Sequence, residues 1–318
     1  MRSTNGPLSS LSHSTAFDRS PLDALVRSKR DGVLAVVTGV EGPSYRPVGA
    51  MMAILPDGTR AGSLSSGCIE SDLVVHAMEA LDAGVPRVIR YGRGSPYIDI
   101  QLPCGGGIDI LLVPRPDRVA IQEILLRQRM RTPCALSIET GDGAMVVSDV
   151  ENAPSDVFTV RIEPQLQFCV FGKGPEAGTF AALVQTAGYP NVLLSPDNET
   201  LERATNAGCD TRSLPTASFP SDLLVDRWTA IVLFFHDHDW EPPLLKAALD
   251  TPAFYIGAQG SRRARDARLE TLKTMGVTEP QLDRLHGPVG LIPSARDAPT
   301  LAVSVLAEIM GKAGAQAP

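Results

Sequence analysis

Phe168-Cys169-Val170-Phe171-Gly172-Lys173-Gly174-Pro175-Glu176-Ala177-Gly178 is an apolar run that breaks into closely spaced glycines. The apolar residues predict a short buried strand, and a helix to Ala187 is expected after the glycines. The segment fits G-x-G-x-x-A between a strand and a helix. Its glycines permit a tight turn and a close approach to a phosphate, which a helix N-terminus favours electrostatically. Further apolar runs follow at Asn191–Leu194, Ala230–Phe235 and Phe254–Gly257, the last two each followed by a helical stretch. Strand alternating with helix is the pattern of a parallel α/β sheet. Residues 166–312 are therefore expected to form a Rossmann-like, doubly wound domain. Its second strand ends Leu194-Ser195-Pro196-Asp197. Serine stands where a ribose-binding acid is expected, and Asp197 comes two residues late, which counts against NAD.

The N-terminal half reads differently. Leu22 to Ser28 predicts an amphipathic helix, Val33–Val37 a buried strand, and Ala50–Leu55 a second strand ending in the turn Pro56-Asp57-Gly58. Ile69, Leu73, Ala77 and Leu81 recur every four residues and predict a helix that Gly84 stops. Ile108–Val113 predicts another strand. These elements suggest an α/β domain over 19–116. Residues 117–165 read as a middle segment or linker with one helix and a hairpin at Thr140-Gly141-Asp142-Gly143. Residues 1–18 are Ser-rich, lack the apolar stretch of a secretory signal, and are expected to be a disordered tail.

Bulk composition narrows the function classes. The chain has 318 residues, 43% hydrophobic and 20% charged, as in an ordinary globular protein. A net charge of −7 argues against a nucleic-acid partner. The longest apolar run is too short to span a bilayer, so no membrane association is expected. Five cysteines, widely spread and without a CxxC, argue against a disulfide framework or a structural zinc site and point to a reducing cytoplasm.

Two of those cysteines lie in glycine-rich turns, Ser65-Ser66-Gly67-Cys68-Ile69-Glu70 and Pro103-Cys104-Gly105-Gly106-Gly107. Glycine lets the backbone press close to a ligand. A thiolate there suits a soft metal, sulfur transfer or nucleophilic attack. The amides of Ser66, Gly67 and Cys68 at a helix start would bind an anion, and the helix dipole would favour a Cys68 thiolate, while Glu70 suits the same dipole. A helix cap with a half-buried cysteine, and a sheet bulge at Gly105-Gly106-Gly107, are the bland alternatives. Cys134, Cys169 and Cys209 sit in apolar or helical contexts and read as core. Arg46, in Gly42-Pro43-Ser44-Tyr45-Arg46-Pro47, is placed between two strands as a phosphate clamp or a surface arginine. His236-Asp237-His238-Asp239 follows a buried strand, where open α/β sheets bind ligands. Gly260-Ser261-Arg262-Arg263 closes another strand, with Ser261 as a helix cap and arginines that meet phosphate or solvent.

Taken together, Gly42 to Ala50, Gly62 to Glu70, Leu102 to Gly106, Phe235-His236-Asp237, Tyr255 to Arg263, Pro288 to Leu291 and Ala302 to Ile309 resemble the XdhC/CoxI family. These are maturation factors of molybdenum hydroxylases such as xanthine dehydrogenase. The resemblance implies an N-terminal family domain and a C-terminal Rossmann-like domain. It also implies a chaperone that binds molybdenum cofactor, protects it, assists its sulfuration by a cysteine desulfurase and inserts it into an apo molybdenum hydroxylase. Cys68 and Cys104 fall on the family's cysteine positions and become the expected metal contacts. Arg46, Ser66, Gly67, Glu70, Gly105 and Gly106 are expected around them. Gly172, Gly174, His236, Asp237, Gly260, Ser261 and Arg262 are the expected cofactor or nucleotide contacts of the C-terminal domain. The chain departs from the family at Ser65 and Ser66, which replace glycines, and at Ser195-Pro196-Asp197, which replaces Asp-Pro-Arg. Two rival readings remain: an NAD(P)-dependent oxidoreductase with His236 as acid or base, and a nucleotide-regulated delivery module. A cofactor cleft shared between subunits would fit a homodimer.

Overall fold

Val33–Glu41 (β1) is the central strand of the first sheet, and its uninterrupted apolar run records burial on both faces. In the computed structural model, which describes residues 20–65, 67–96, 102–103, 105–236 and 239–314, the chain divides into two units. One ends at Pro164 and the other starts at Gln165.

In the first unit, helix α1 (Pro21–Arg27) precedes β1, β2 (Met51–Ile54) and β3 (Arg60–Gly62). Helix α2 (Glu70–Ala83), β4 (Arg87–Gly92) and β5 (Gly107–Pro114) follow. The five strands form an antiparallel sheet in the order β3-β2-β1-β5-β4. Side chains alternate along β1. Val33, Ala35 and Val37 pack with Leu73 and Ala77 of α2. Leu34 and Val36 face the opposite cluster, with Leu22 and Leu25 of α1.

Residues 117–165, a middle segment or linker by sequence, contain α3 (Arg118–Arg129), β6 (Cys134–Ile138), β7 (Met145–Ser148) and β8 (Phe158–Ile162). The expected hairpin is β6–β7, and the three strands form a second sheet in the order β7-β6-β8. Ile121, Ile124 and Leu136 share one hydrophobic cluster with Leu34 and Leu111, so this segment belongs to the core of the first unit.

The second unit begins with β9 (Gln167–Gly172), α4 (Pro175–Thr186), β10 (Asn191–Ser195), α5 (Asn198–Asn206) and β11 (Asp210–Ser213). It continues with β12 (Thr229–Phe234), α6 (Glu241–Leu249), β13 (Tyr255–Ala258) and α7 (Arg262–Thr274). Short α8 (Glu279–Leu282), β14 (Leu285–His286) and α9 (Ala298–Gly314) complete it. All six strands run parallel in the order β11-β10-β9-β12-β13-β14. Phe180 of α4 and Val305 of α9 cover one face, and Leu244 of α6 and Leu272 of α7 cover the other. This is the expected doubly wound sheet. Strand order reverses between β9 and β12, and ligands of such sheets bind in the crevice beyond the strand ends at that point.

Candidate functional site

Antiparallel pairing brings three glycine-bearing connections to one end of the first sheet. Glu41, at the end of β1, lies opposite Gly107, and Gly107 lies opposite Gly92 at the end of β4. Gly62, at the end of β3, lies opposite Met52 near the start of β2. The β1–β2 loop with Arg46, the β3–α2 turn with Cys68 and the β4–β5 connection with Pro103 and Gly105 therefore leave the sheet together. Contacts draw two of them closer. A Cβ on Gly106 would stand 2.1 Å from Pro43 O and 2.8 Å from Glu41 O, so only glycine lets this strand press against the β1–β2 loop. Arg93 N–H donates to Gly106 O at 3.0 Å. Leu64 and Ile69, near Cys68, enter the same core cluster as Leu102. Ser66 and Cys104 lie outside the described residues, as do Asp237 and His238.

The turn before α2 is built around Glu70. Its buried carboxylate accepts from Ser63 Oγ and Ser65 N at 2.9 Å, from Ser65 Oγ at 2.6 Å, and from Leu64 N and Ile69 N at 3.3 Å. Burial alone would raise this carboxyl's pKa. The bonds from Ser65 and Ser63 outweigh burial and hold it down to about 2. Two expectations change. Glu70 serves its own turn, its oxygens being occupied by neighbours. Helix α2 starts at Glu70, two residues after Cys68, and part of the anion-binding capacity of the turn goes to that internal carboxylate. Gly67 (φ 99°) stays in open space, and Cys68 is exposed. Cys134, Cys169 and Cys209 are buried as expected, and burial pushes the Cys209 thiol up to about 11 and raises Cys134. Arg46 is exposed and makes no ion pair among the described residues, and its loop is pinned by the Ser44 hydroxyl donating to Arg46 O at 2.8 Å. Among the described residues, no group of three His, Cys, Asp or Glu is arranged to hold a metal ion.

In the second unit, Gly172 tightens the turn as expected, since a Cβ there would stand 2.5 Å from Phe234 O. The phosphate expectation at Gly174 is altered. Gly174 N–H donates to Thr200 Oγ1 at 2.8 Å, and that hydroxyl in turn donates to Asp197. Asp197, the late acid, thus caps α5 and is held below the usual carboxylate range by its bonds from Thr200. Glu176 Oε2 would sit 3.6 Å from a Cβ on Gly174, which puts a carboxylate beside the turn.

His236, at the end of β12, is exposed and lies 3.8 Å from Glu176. Gln259 Nε2, beyond β13, lies 3.2 Å from His236 Nε2. Behind Gln259, Arg268 Nη2 donates to Gln259 O at 2.6 Å, and Arg268 forms a buried ion pair with Glu241 at 2.9 Å. Glu176, His236, Gln259, Arg268 and Glu241 thus make one polar chain across the carboxyl ends of the strands. Gly260, Ser261 and Arg262 lie beside it, with Ser261 Oγ accepting from Ala264 N at 3.1 Å as the expected cap. Sequence reading missed Glu176, Thr200, Gln259, Glu241 and Arg268. The available signal for Arg268 was its position two helical turns after Ser261, from which a helical side chain reaches back towards the N-terminus.

Comparisons with known proteins agree with this architecture. Residues 25–92 match the XdhC and CoxI family, and residues 168–309 match the XdhC Rossmann domain. The molybdenum cofactor insertion chaperone PaoD of Escherichia coli is 33% identical over 92% of this chain and 86% of its own length. A probable xanthine dehydrogenase subunit of Bacillus subtilis is 24% identical over 91% of this chain and 95% of its own. The crystal structure of a xanthine dehydrogenase from Bacillus halodurans shares the fold, with a TM-score of 0.76 at 23% identity over 93% of this chain and 95% of that one. No described helix is long and apolar enough to cross a membrane. On the match with PaoD, together with the two family regions, the chain belongs to the XdhC/CoxI family.

Proposed function

We propose that this chain is a molybdenum-cofactor chaperone that takes up the cofactor as cargo, shields it and passes it to an apo molybdenum hydroxylase. The carrying observation is the convergence of the Arg46, Cys68 and Gly105-Gly106 segments at one end of the first sheet, in a chain 33% identical to a protein named as such a chaperone. In this reading the Cys68 and Cys104 thiols approach the metal or its sulfur ligands. Arg46 and the backbone amides around Ser66 and Gly67 hold the cofactor's phosphate, the guanidinium by a bidentate fork, while Gly105 and Gly106 let the backbone come close to the cargo. Glu70 holds the turn that presents Cys68. An exposed thiol in an open turn suits a carrier that must release its cargo. Exchange of an oxo for a sulfido ligand with a cysteine desulfurase, a cytoplasmic setting and a homodimer belong to the same reading.

The test is to load the protein with molybdenum cofactor, remove excess and quantify bound molybdenum and pterin, for the unchanged chain and for Cys68→Ala and Cys104→Ala. Each variant is expected to retain at most about a tenth of the cargo and to activate an apo-hydroxylase correspondingly less, the loss of roughly 1.4 kcal/mol of binding. Full retention and activation by both variants would overturn the thiol assignment. The oxidoreductase alternative has less support, because the Gly174 amide is taken by Thr200 and a carboxylate adjoins the turn. Millimolar NAD or NADP is expected to leave the fluorescence of Trp228 and Trp240 unchanged.

A further inference from the structure

The first Rossmann turn has lost an amide to Thr200 and gained a carboxylate neighbour, yet the same edge of the sheet carries a second glycine turn with the opposite character. Gln259-Gly260-Ser261-Arg262-Arg263 leads from β13 into α7, a helix of 13 residues with no acidic residue in its first turn. The Ser261 hydroxyl satisfies Ala264 N–H, while the amides of Arg262 and Arg263 make no hydrogen bond among the described residues. Amides at the start of a helix are oriented to meet an anion, and the helix dipole favours negative charge there. Arg262 and Arg263 are exposed and form no ion pair among the described residues, so both guanidinium groups are free to close over a ligand.

Arg268 supplies an independent observation. It is only 5% exposed. Nε and Nη2 pair with Glu241, and Nη2 also donates to Gln259 O. Nη1 is buried and has no hydrogen-bond partner among the described residues. That nitrogen would stand 3.4 Å from a Cβ on Gly287, just beyond β14, and Nη2 would stand 3.3 Å from a Cβ on Gly260. The guanidinium thus packs closely against both glycine positions, Gly260 at the α7 turn and Gly287 beyond β14. A buried donor without a partner is costly, and an oxyanion oxygen would satisfy it.

We propose that the Gln259–Arg263 turn, backed by Arg268, is a phosphate-binding site of the second unit, displaced two strands along the sheet from the glycine turn that follows β9. Its ligand is a phosphate or diphosphate group, carried either by a nucleotide or by the pterin cofactor. The site does not depend on the thiol reading of the first unit.

The test titrates cofactor-free protein with inorganic pyrophosphate, and separately with adenosine diphosphate, by calorimetry. Saturable binding is expected. It weakens at least tenfold in Arg262→Ala/Arg263→Ala, whose side chains are exposed and whose loss leaves the core intact. It also weakens at least tenfold in Arg268→Lys, which keeps the charge beside Glu241 but lacks the fork that presents Nη1. Should Arg268→Lys fail to fold, the double variant decides alone. Lys173→Ala, at the first turn, is expected to bind within twofold of the unchanged chain. Tenfold tighter binding of adenosine diphosphate than of pyrophosphate assigns the site to nucleotides. Equal binding assigns it to the phosphate group alone, as carried by the cofactor. Absence of binding for both ligands at millimolar concentration overturns the proposal, as does unchanged binding in the double variant or a loss confined to Lys173→Ala. None of these readouts involves molybdenum, so failure here and failure of the cofactor reading are separable.

Discussion

Glu70 shows how one residue changes meaning between sequence and structure. In the sequence it is an acid near a helix start. In the fold it is the anion around which five donors from residues 63–69 are wrapped. Glu70→Gln replaces an acceptor with a group that must turn N–H towards those donors, and a loss of about 2 kcal/mol is expected in urea unfolding of the first unit. The pH dependence follows from the direction of the shift. Folding lowers this carboxyl from 4.5 to about 2, so its contribution is complete above pH 4.5 and disappears as pH falls towards 2. The variant should lack that part of the acid limb, which stability curves between pH 5 and 2 would register. The cysteines separate at the same scale. Brief alkylation of native protein, read by mass spectrometry, should modify Cys68, while Cys134, Cys169 and Cys209 react only after unfolding, because among the described cysteines these three are buried and Cys68 is exposed. Burial of Cys134 was legible from its apolar neighbours. The network around Glu70 was not, because five of its hydrogen bonds come from the way the turn curls back on its own helix.

At the scale of elements, most strands and helices were readable because their hydrophobic periods match their burial. The run at Val33–Val37, the four-residue recurrence from Ile69 to Leu81 and the apolar strand before Gly172 all correspond to observed elements. Short edge strands such as β3, β4, β11 and β14 were not anticipated, since an edge strand half-exposed to solvent carries little apolar pattern. Gly105-Gly106-Gly107 was recognisable as unusual, but what it approaches depends on pairing between strands distant in sequence. Gly106→Ala should test that approach. With a Cβ only 2.1 Å from Pro43 O, one of two backbones must move, and a destabilisation of roughly 3 kcal/mol is expected in chemical denaturation, with displacement of the β1–β2 loop and its Arg46.

At the scale of the whole molecule, each unit holds its own core, and perturbations should stay within one of them. Glu241→Gln leaves Arg268 as a buried charge without its carboxylate. Removing one partner of such a pair typically costs about 3 kcal/mol or more. Calorimetry should show the transition of the second unit moving down while that of the first stays in place; Glu70→Gln should do the reverse. The sequence by itself determined the doubly wound sheet, the glycine turns, the inert cysteines and the family, because these follow from local period, turn chemistry and ordered motifs. Tertiary structure alone decided that three glycine-bearing connections leave one end of the first sheet. It also decided that Thr200 takes the Gly174 amide, and that Arg268 is buried against Gly260 and Gly287 with one nitrogen unpaired among the described residues. The reason is physical. A turn's shape is written in nearby residues, but which donors remain free depends on partners that only chain folding brings within reach.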